Sequence, residues 1–208
     1  MDIHNYLIFI FASFILCIVP GPDMAYLLSR SIAQGKRAGI MAAFGINAGA
    51  YVHLFAAVIG LSAILATSSL AFTIVKWIGA IYLIYIGIQA ILSNTQISLN
   101  SGARNKQSNA TIFWQGFLSD VLNPKVAIFF LAFLPQFVQE NSTNTTFQLL
   151  ILGVTVNIIG ITVNLILVYY SAMVTNKMRS SNRISNWLNK LMGSMFVLLG
   201  IKLANEKM

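Results

Sequence analysis

The sequence predicts an all-α integral membrane protein: six transmembrane helices as a 3+3 inverted repeat, with the first and fourth helices broken at proline. Three observations predict it. Only 9% of the 208 residues are charged and 57% are hydrophobic, whereas a soluble domain carries about 25% charged residues to keep a polar surface in water. Six apolar segments each reach the ~20 residues that a helix needs to cross a bilayer. Two of those segments carry a proline interruption beside charge, in "IVPGPDMAY" and "SDVLNPKVA".

Taken in order, the first segment covers about residues 3–28 and is interrupted at Pro20-Gly21-Pro22. The second, 38–66, carries Gly45 and Gly49 at the four-residue spacing of close helix contact, with Asn47 and His53 nearby. The third covers 70–92. The stretch 93–110, "SNTQISLNSGARNKQSNA", is the longest polar connector and the natural boundary between two halves. This divides the chain into a first three-helix repeat (1–92), a cytoplasmic connector (93–110) and a second three-helix repeat (111–208). The fourth segment, 111–138, is interrupted at Pro124; the fifth is 147–175 and the sixth 186–204. Helices are expected because each satisfies its own backbone in lipid, and no segment shows the alternation of a barrel strand.

Charge sets the orientation. Arg30, Lys36 and Arg37 follow the first segment, Arg104 and Lys106 the third, and Lys177, Arg179 and Arg183 the fifth. The gaps at 67–69 and 139–146 hold no Lys or Arg; Lys202 and Lys207 lie near the C-terminus. The positive-inside rule then puts the three basic loops in the cytoplasm and both termini outside. It also accounts for the net charge of +8, which otherwise points to nucleic acid; no basic face interleaved with aromatics accompanies it. Cys17 is the single cysteine, so neither an internal disulfide nor a Cys-x-x-Cys site can form. The start, "MDIHNYLIF", lacks the basic residues of a signal peptide and is expected to be the first span.

The first and fourth segments can be laid over one another. Phe11 falls on Phe113, Pro22 on Pro124 and Ala25 on Ala127. With three spans per half, the second half is inverted, and matching breaks in inverted repeats point to a transporter's binding site. Proline removes a backbone donor, so Pro20 and Pro22 free the carbonyls of Leu16 and Ile18, and Pro124 frees that of Asp120. A free carbonyl facing lipid costs several kcal/mol, so each break must face protein or a water-filled cavity. The half-helix ends offer partial negative and partial positive charge, a pair suited to a zwitterion.

Charges inside a span are expensive and mark function. Asp23 is expected to take a substrate ammonium or a coupling proton, and Asp23→Asn to abolish energised export. Lys125 is expected to take a carboxylate or neutralise an aspartate. Asp120 and His53 complete the proton-coupling candidates, and Gly21, Asn47 and Asn123 the polar surroundings of the breaks. Each residue also has a structural reading. Asp23 can cap the helix after Pro22, Lys125 can snorkel or pair with an aspartate, Asp120 can lie wet at the interface, and His53 can be a hydrogen-bonded interior residue. Asn47, Asn157 and Asn164 read first as hydrogen bonds between helices.

These residues carry a family resemblance. "PGPDMAYLLSRSIAQGKRAGIMAAFGINAGAYVHLFAAVIGLSAIL" (20–65) resembles the opening of the lysine-exporter family, LysE/RhtB, with its Pro-Gly-Pro-Asp break and its basic loop at Gly35, Lys36, Arg37 and Gly39. "GFLSDVLNPKVAIFFLAFLPQFV" (116–138) is similar to the family's second signature, and "GAIYLIYIG" (79–87) to its third-span pattern. The resemblance implies a bacterial inner-membrane exporter of amino acids or close derivatives, driven by proton antiport. By motif position it points to Pro20, Gly21, Pro22, Asp23, Asn123, Pro124 and Lys125. No cofactor beyond the coupling proton and no metal site is expected, the partners being the amino acid and the bilayer. The apolar surface leaves a homodimer open as well as a monomer.

Three other classes fit the sequence less well. A metal-ion exporter on a related fold would want Cys/His/carboxylate clusters; the chain has two His and one Cys. An intramembrane aspartyl protease would use Asp23 and Asp120 as a dyad, which leaves the paired breaks without a purpose. A thiol-disulfide carrier needs two redox cysteines.

Overall fold

A computed structural model describes residues 3–19, 21–67, 106–138 and 144–171, with scattered positions across 77–92 and 173–204. Six α-helices are delimited in it: α1 (Ile3–Ile18), α2 (Pro22–Gln34), α3 (Lys36–Thr67), α4 (Asn109–Val121), α5 (Pro124–Ile128) and α6 (Thr145–Tyr169). Beyond α5 the chain runs on as a π-helical turn, Phe129–Phe133, and a 3-10 turn, Leu134–Phe137.

Among the described residues, α3 (over Lys36–Gly60) and α6 are long and apolar enough to cross a membrane unbroken. Two further spans follow if each bent pair counts as one: α1 with α2, bent by 55°, and α4 with the stretch Pro124–Phe137, bent by 51°. Both bends fall at the proline motifs. Pro20, one of the residues expected at the first break, lies outside the described residues, as do most of the third and sixth segments and the connector up to residue 105.

Local chemistry explains the restarts. α2 opens with Pro22 in its first turn and Asp23 directly after it. Proline has no donor to lose there, and a carboxylate favours the positive end of the helix. α5 opens the same way: Pro124 stands in its first turn and the Asn123 side chain accepts from the Lys125 backbone N–H at 3.0 Å. α4 has its own cap, Ser108, whose hydroxyl accepts from the Thr111 N–H at 3.1 Å. Gly35 ends α2 at a φ of 86°, a left-handed value that glycine adopts without strain.

α3 packs most extensively on α4. The seam is made by glycine. A Cβ at Gly49 would meet the Asp120 Cβ at 2.7 Å and the Phe117 carbonyl oxygen at 2.8 Å, and one at Gly116 would meet the Ala42 carbonyl oxygen at 2.8 Å. Gly45 sits against the backbone of Phe113. Small residues let helix backbones approach where lipid supplies no hydrophobic drive. The same device joins described residues of the third and sixth segments, where Gly87 lies against the Gly193 carbonyl and Gly200 against that of Ala80.

Polar ties connect the remaining helices. Tyr6 of α1 bonds Thr155 of α6 at 2.9 Å. Tyr26 of α2 donates to the Ile112 carbonyl of α4 at 2.9 Å and to Gln115 at 3.2 Å, and Arg30 donates to the same amide oxygen. Lys36 lies 3.6 Å from the ring centre of Tyr169, joining the start of α3 to the end of α6. Phe9, Phe129, Phe133 and Phe137 form a buried aromatic cluster, with Phe133 4.6 Å from Phe129 and 4.8 Å from Phe137.

Candidate functional site

The two breaks meet. Asp23, from the first turn of α2, accepts a hydrogen bond from the Ser119 hydroxyl at 2.9 Å and another from the Asn123 amide. Ser119 lies near the end of α4 and Asn123 caps α5, so one carboxylate bridges both halves of the second broken helix. Asn123 is 2% exposed and has both ends of its side chain committed: the amide nitrogen to Asp23, the oxygen to the cap of α5.

The reciprocal contact runs from the second break to the first. The Lys125 ammonium donates to the carbonyl oxygens of Val19 (3.3 Å) and Leu16 (3.4 Å) at the end of α1. Leu16 is one of the carbonyls that a proline at position 20 is expected to free. A cation at a helix C-terminus is favourable, and here it occupies the carbonyl end that the sequence reading left open for a substrate ammonium. Gly21 sits beneath it, with the Lys125 nitrogen 3.2 Å from where a Cβ would stand. The carbonyl of Asp120, freed by Pro124, is treated alike: it accepts from the Asn123 N–H at 2.9 Å and contacts His53 Nε2 at 3.0 Å. His53 is buried, with its ring stacked on Phe130.

Between these ties lies a cavity that offers about 80 Å³ to the centre of a water-sized sphere, room for several waters. Its walls come from all six helices and the π-turn. Of the residues singled out from the sequence, Asp23, Asn47, Asp120 and Lys125 line it. Gly21, His53 and Asn123 support it from behind, and Pro22 and Pro124 are exposed at the helix starts. Asn157 and Asn164 of α6 line it as well, together with apolar side chains that include Met24, Ile46, Phe130 and Val156. Ser119 is the site residue that the sequence reading missed. A serine four residues before Asn123 carries no signal until the fold turns both onto Asp23.

The two aspartates differ in one respect that decides what each can do. Both oxygens of Asp23 have donors. Among the described residues Oδ2 of Asp120 has none, although Asp120 is 2% exposed. Nδ2 of Asn157, on α6, is likewise buried and without a partner among the described residues. An unpaired buried polar atom costs about 1–3 kcal/mol, and both of these belong to residues that line the cavity.

Comparison with known proteins places the chain. The family profile described as "LysE: LysE type translocator" matches residues 14–207. A protein of Enterobacter sp. (strain 638) named leucine efflux protein is 29% identical over 201 residues, covering 97% of this chain and 95% of that one. An uncharacterized membrane protein of Vibrio cholerae serotype O1 is 32% identical over 207 residues, covering 100% of each. A leucine efflux protein of Salmonella typhimurium is 26% identical over 200 residues, covering 96% of this chain and 94% of its own length. No solved structure matches. With nearly its whole length matched, and with both signature breaks folded against one cavity, the chain belongs to the LysE type translocator family.

Proposed function

We propose that this protein exports neutral amino acids with aliphatic side chains, leucine first among them, from the bacterial cytoplasm in exchange for protons. The observation that carries the reading is the cavity at the crossing of the two breaks, where one unpaired carboxylate oxygen and several amides are set among apolar walls. Amides and the acid suit the ammonium and carboxylate of an amino acid; Met24, Ile46, Phe130 and Val156 suit a branched apolar side chain. The names of the leucine efflux relatives support the same substrate class.

Exchange follows from electrostatics. A buried carboxylate is costly unless a cation or a proton accompanies it. If Asp120 holds the substrate ammonium in one half-cycle and a proton in the other, the two ions compete for one oxygen, and competition at a site that faces alternate sides is antiport. Asp23 and His53 then act as supports, one clamping the breaks and the other holding the Asp120 backbone. The glycine contacts Gly87–Gly193 and Ala80–Gly200 support the inverted repeat, since aligning "GI" of 87–88 with "GI" of 200–201 maps each contact onto the other. The basic loops support a cytoplasmic-membrane location with both termini outside.

Cys17 lines the cavity and is the single cysteine, so the native thiol tests the proposal. Protein in lipid nanodiscs is treated with N-ethylmaleimide with and without leucine, and proteoliposomes loaded with leucine are tested for release under an opposing proton gradient. Slower labelling with leucine and gradient-dependent release are expected. Labelling and release indifferent to leucine and to every other amino acid overturn the reading.

A further inference from the structure

Two buried polar atoms in the described cavity lack partners: the Asp120 Oδ2 acceptor on α4 and the Asn157 Nδ2 donor on α6. Both residues are 2% exposed, both line the cavity, and they come from different helices of the second half. One can only receive a hydrogen bond while ionised, and the other can only give one. We infer that Asn157 reads the substrate's α-carboxylate while Asp120 reads its α-ammonium, so that discrimination for a free amino acid rests on the α4–α6 pair and not on Lys125. The inference rests on the export reading above and names the residue chemistry within it.

Lys125 is the obvious rival for the carboxylate, because it is cationic and lines the cavity. Its ammonium is already engaged by the Leu16 and Val19 carbonyls at the end of α1. Two of its three N–H donors are so placed, and drawing it toward a ligand would weaken its cover of those carbonyls beside Gly21. Asn157 has no bond to surrender at Nδ2, so a carboxylate there satisfies an orphan donor without uncovering another group. A neutral donor also leaves Asp120 as the charged anchor. Gly160, one turn beyond Asn157, keeps this wall of the cavity low: the nearest atom to a Cβ placed there is the Cys17 sulfur, at 3.7 Å.

The test uses the full chain in nanodiscs, with protection of Cys17 from N-ethylmaleimide as the binding readout. Three probes are titrated: leucine, leucinamide (which keeps the ammonium and loses the carboxylate) and 4-methylpentanoate (which keeps the carboxylate and loses the ammonium). Wild type should prefer leucine to either analogue by about tenfold or more, the worth of one hydrogen bond to a charged group. Asn157→Ala should weaken leucine by that factor, leave leucinamide unchanged and bring their ratio near one. Asp120→Asn should erase the preference for leucine over 4-methylpentanoate and keep part of that over leucinamide. Should Asn157→Ala fail to yield monodisperse protein, Asn157→Ser, a shorter side chain with a hydroxyl, takes its place with the same expectation. An Asn157 variant that keeps the wild-type leucine-to-leucinamide ratio overturns the inference and leaves export standing. So does wild-type protein that binds leucinamide as well as leucine. Wild-type protein protected by none of the three overturns the export reading as well.

Discussion

Asp23 and Asp120 both lie buried at the helix breaks, but their hydrogen bonds separate them. Asp23 holds Ser119 and Asn123 and so ties α2 to the end of α4 and the start of α5. Ser119→Ala removes one bond to a charged acceptor and is expected to cost about 1–3 kcal/mol, read as a lower unfolding temperature in detergent with export retained in part. Asn123→Asp is the sharper variant. Aspartate still caps α5, but it replaces the donor to Asp23 with a second carboxylate, and like charges in one buried site cannot both ionise. It is expected to lower the unfolding temperature more than Ser119→Ala and to reduce efflux at least tenfold. Asp23→Asn should likewise abolish efflux, while surface-exposed protein and membrane yield stay near wild type. These roles were only partly legible in the sequence. The motifs announce that Asp23, Asn123 and Lys125 matter; that they bond across the breaks to each other's helices needs the fold.

At the scale of elements, the seam between α3 and α4 sets where Asp120 points. A methyl group at Gly49 would strike the Asp120 Cβ and the Phe117 carbonyl. Gly49→Ala is therefore expected to cost about 1–3 kcal/mol through overpacking and to depress leucine efflux by displacing Asp120. Gly60→Ala is the control on the same helix. Among the described residues nothing stands within 4 Å of a Cβ at Gly60, and alanine favours a helix over glycine by about 1 kcal/mol, so stability should hold or rise. Thermal unfolding of the two variants side by side checks both expectations. The Gly45/Gly49 spacing was readable as a packing face, but its partner was not. The π-helical turn at Phe129–Phe133 was not readable either, since it depends on how the aromatic stack with Phe9 fits.

Across the whole molecule, topology and the repeat are the open quantities, and each has a direct assay. An alkaline phosphatase fusion is active only outside the cytoplasm. One at the C-terminus should be active and one within 93–110 inactive, as the distribution of basic loops requires; the opposite pattern would overturn the assigned topology. Gly87→Leu and Gly200→Leu should each lower the yield of folded protein, because either side chain would meet the backbone of the facing segment. Similar losses from both positions are expected if the two segments are related by the proposed inverted symmetry, which makes these two glycines equivalent.

Composition and motif spacing alone determined that the chain is helical, belongs in lipid and breaks at two prolines, because hydrophobic length and the missing proline donor are local properties of the chain. They also identified the family signatures and the charged residues beside the breaks. Tertiary structure decided which polar atoms are spent and which are free. Lys125 and His53 cover the carbonyls of Leu16 and Asp120 that prolines free, Asp23 is consumed as a clamp, and Asp120 and Asn157, which line the cavity, each keep an atom without a partner among the described residues. Hydrogen-bond satisfaction is a property of packing between segments distant in sequence, so no local pattern carries it.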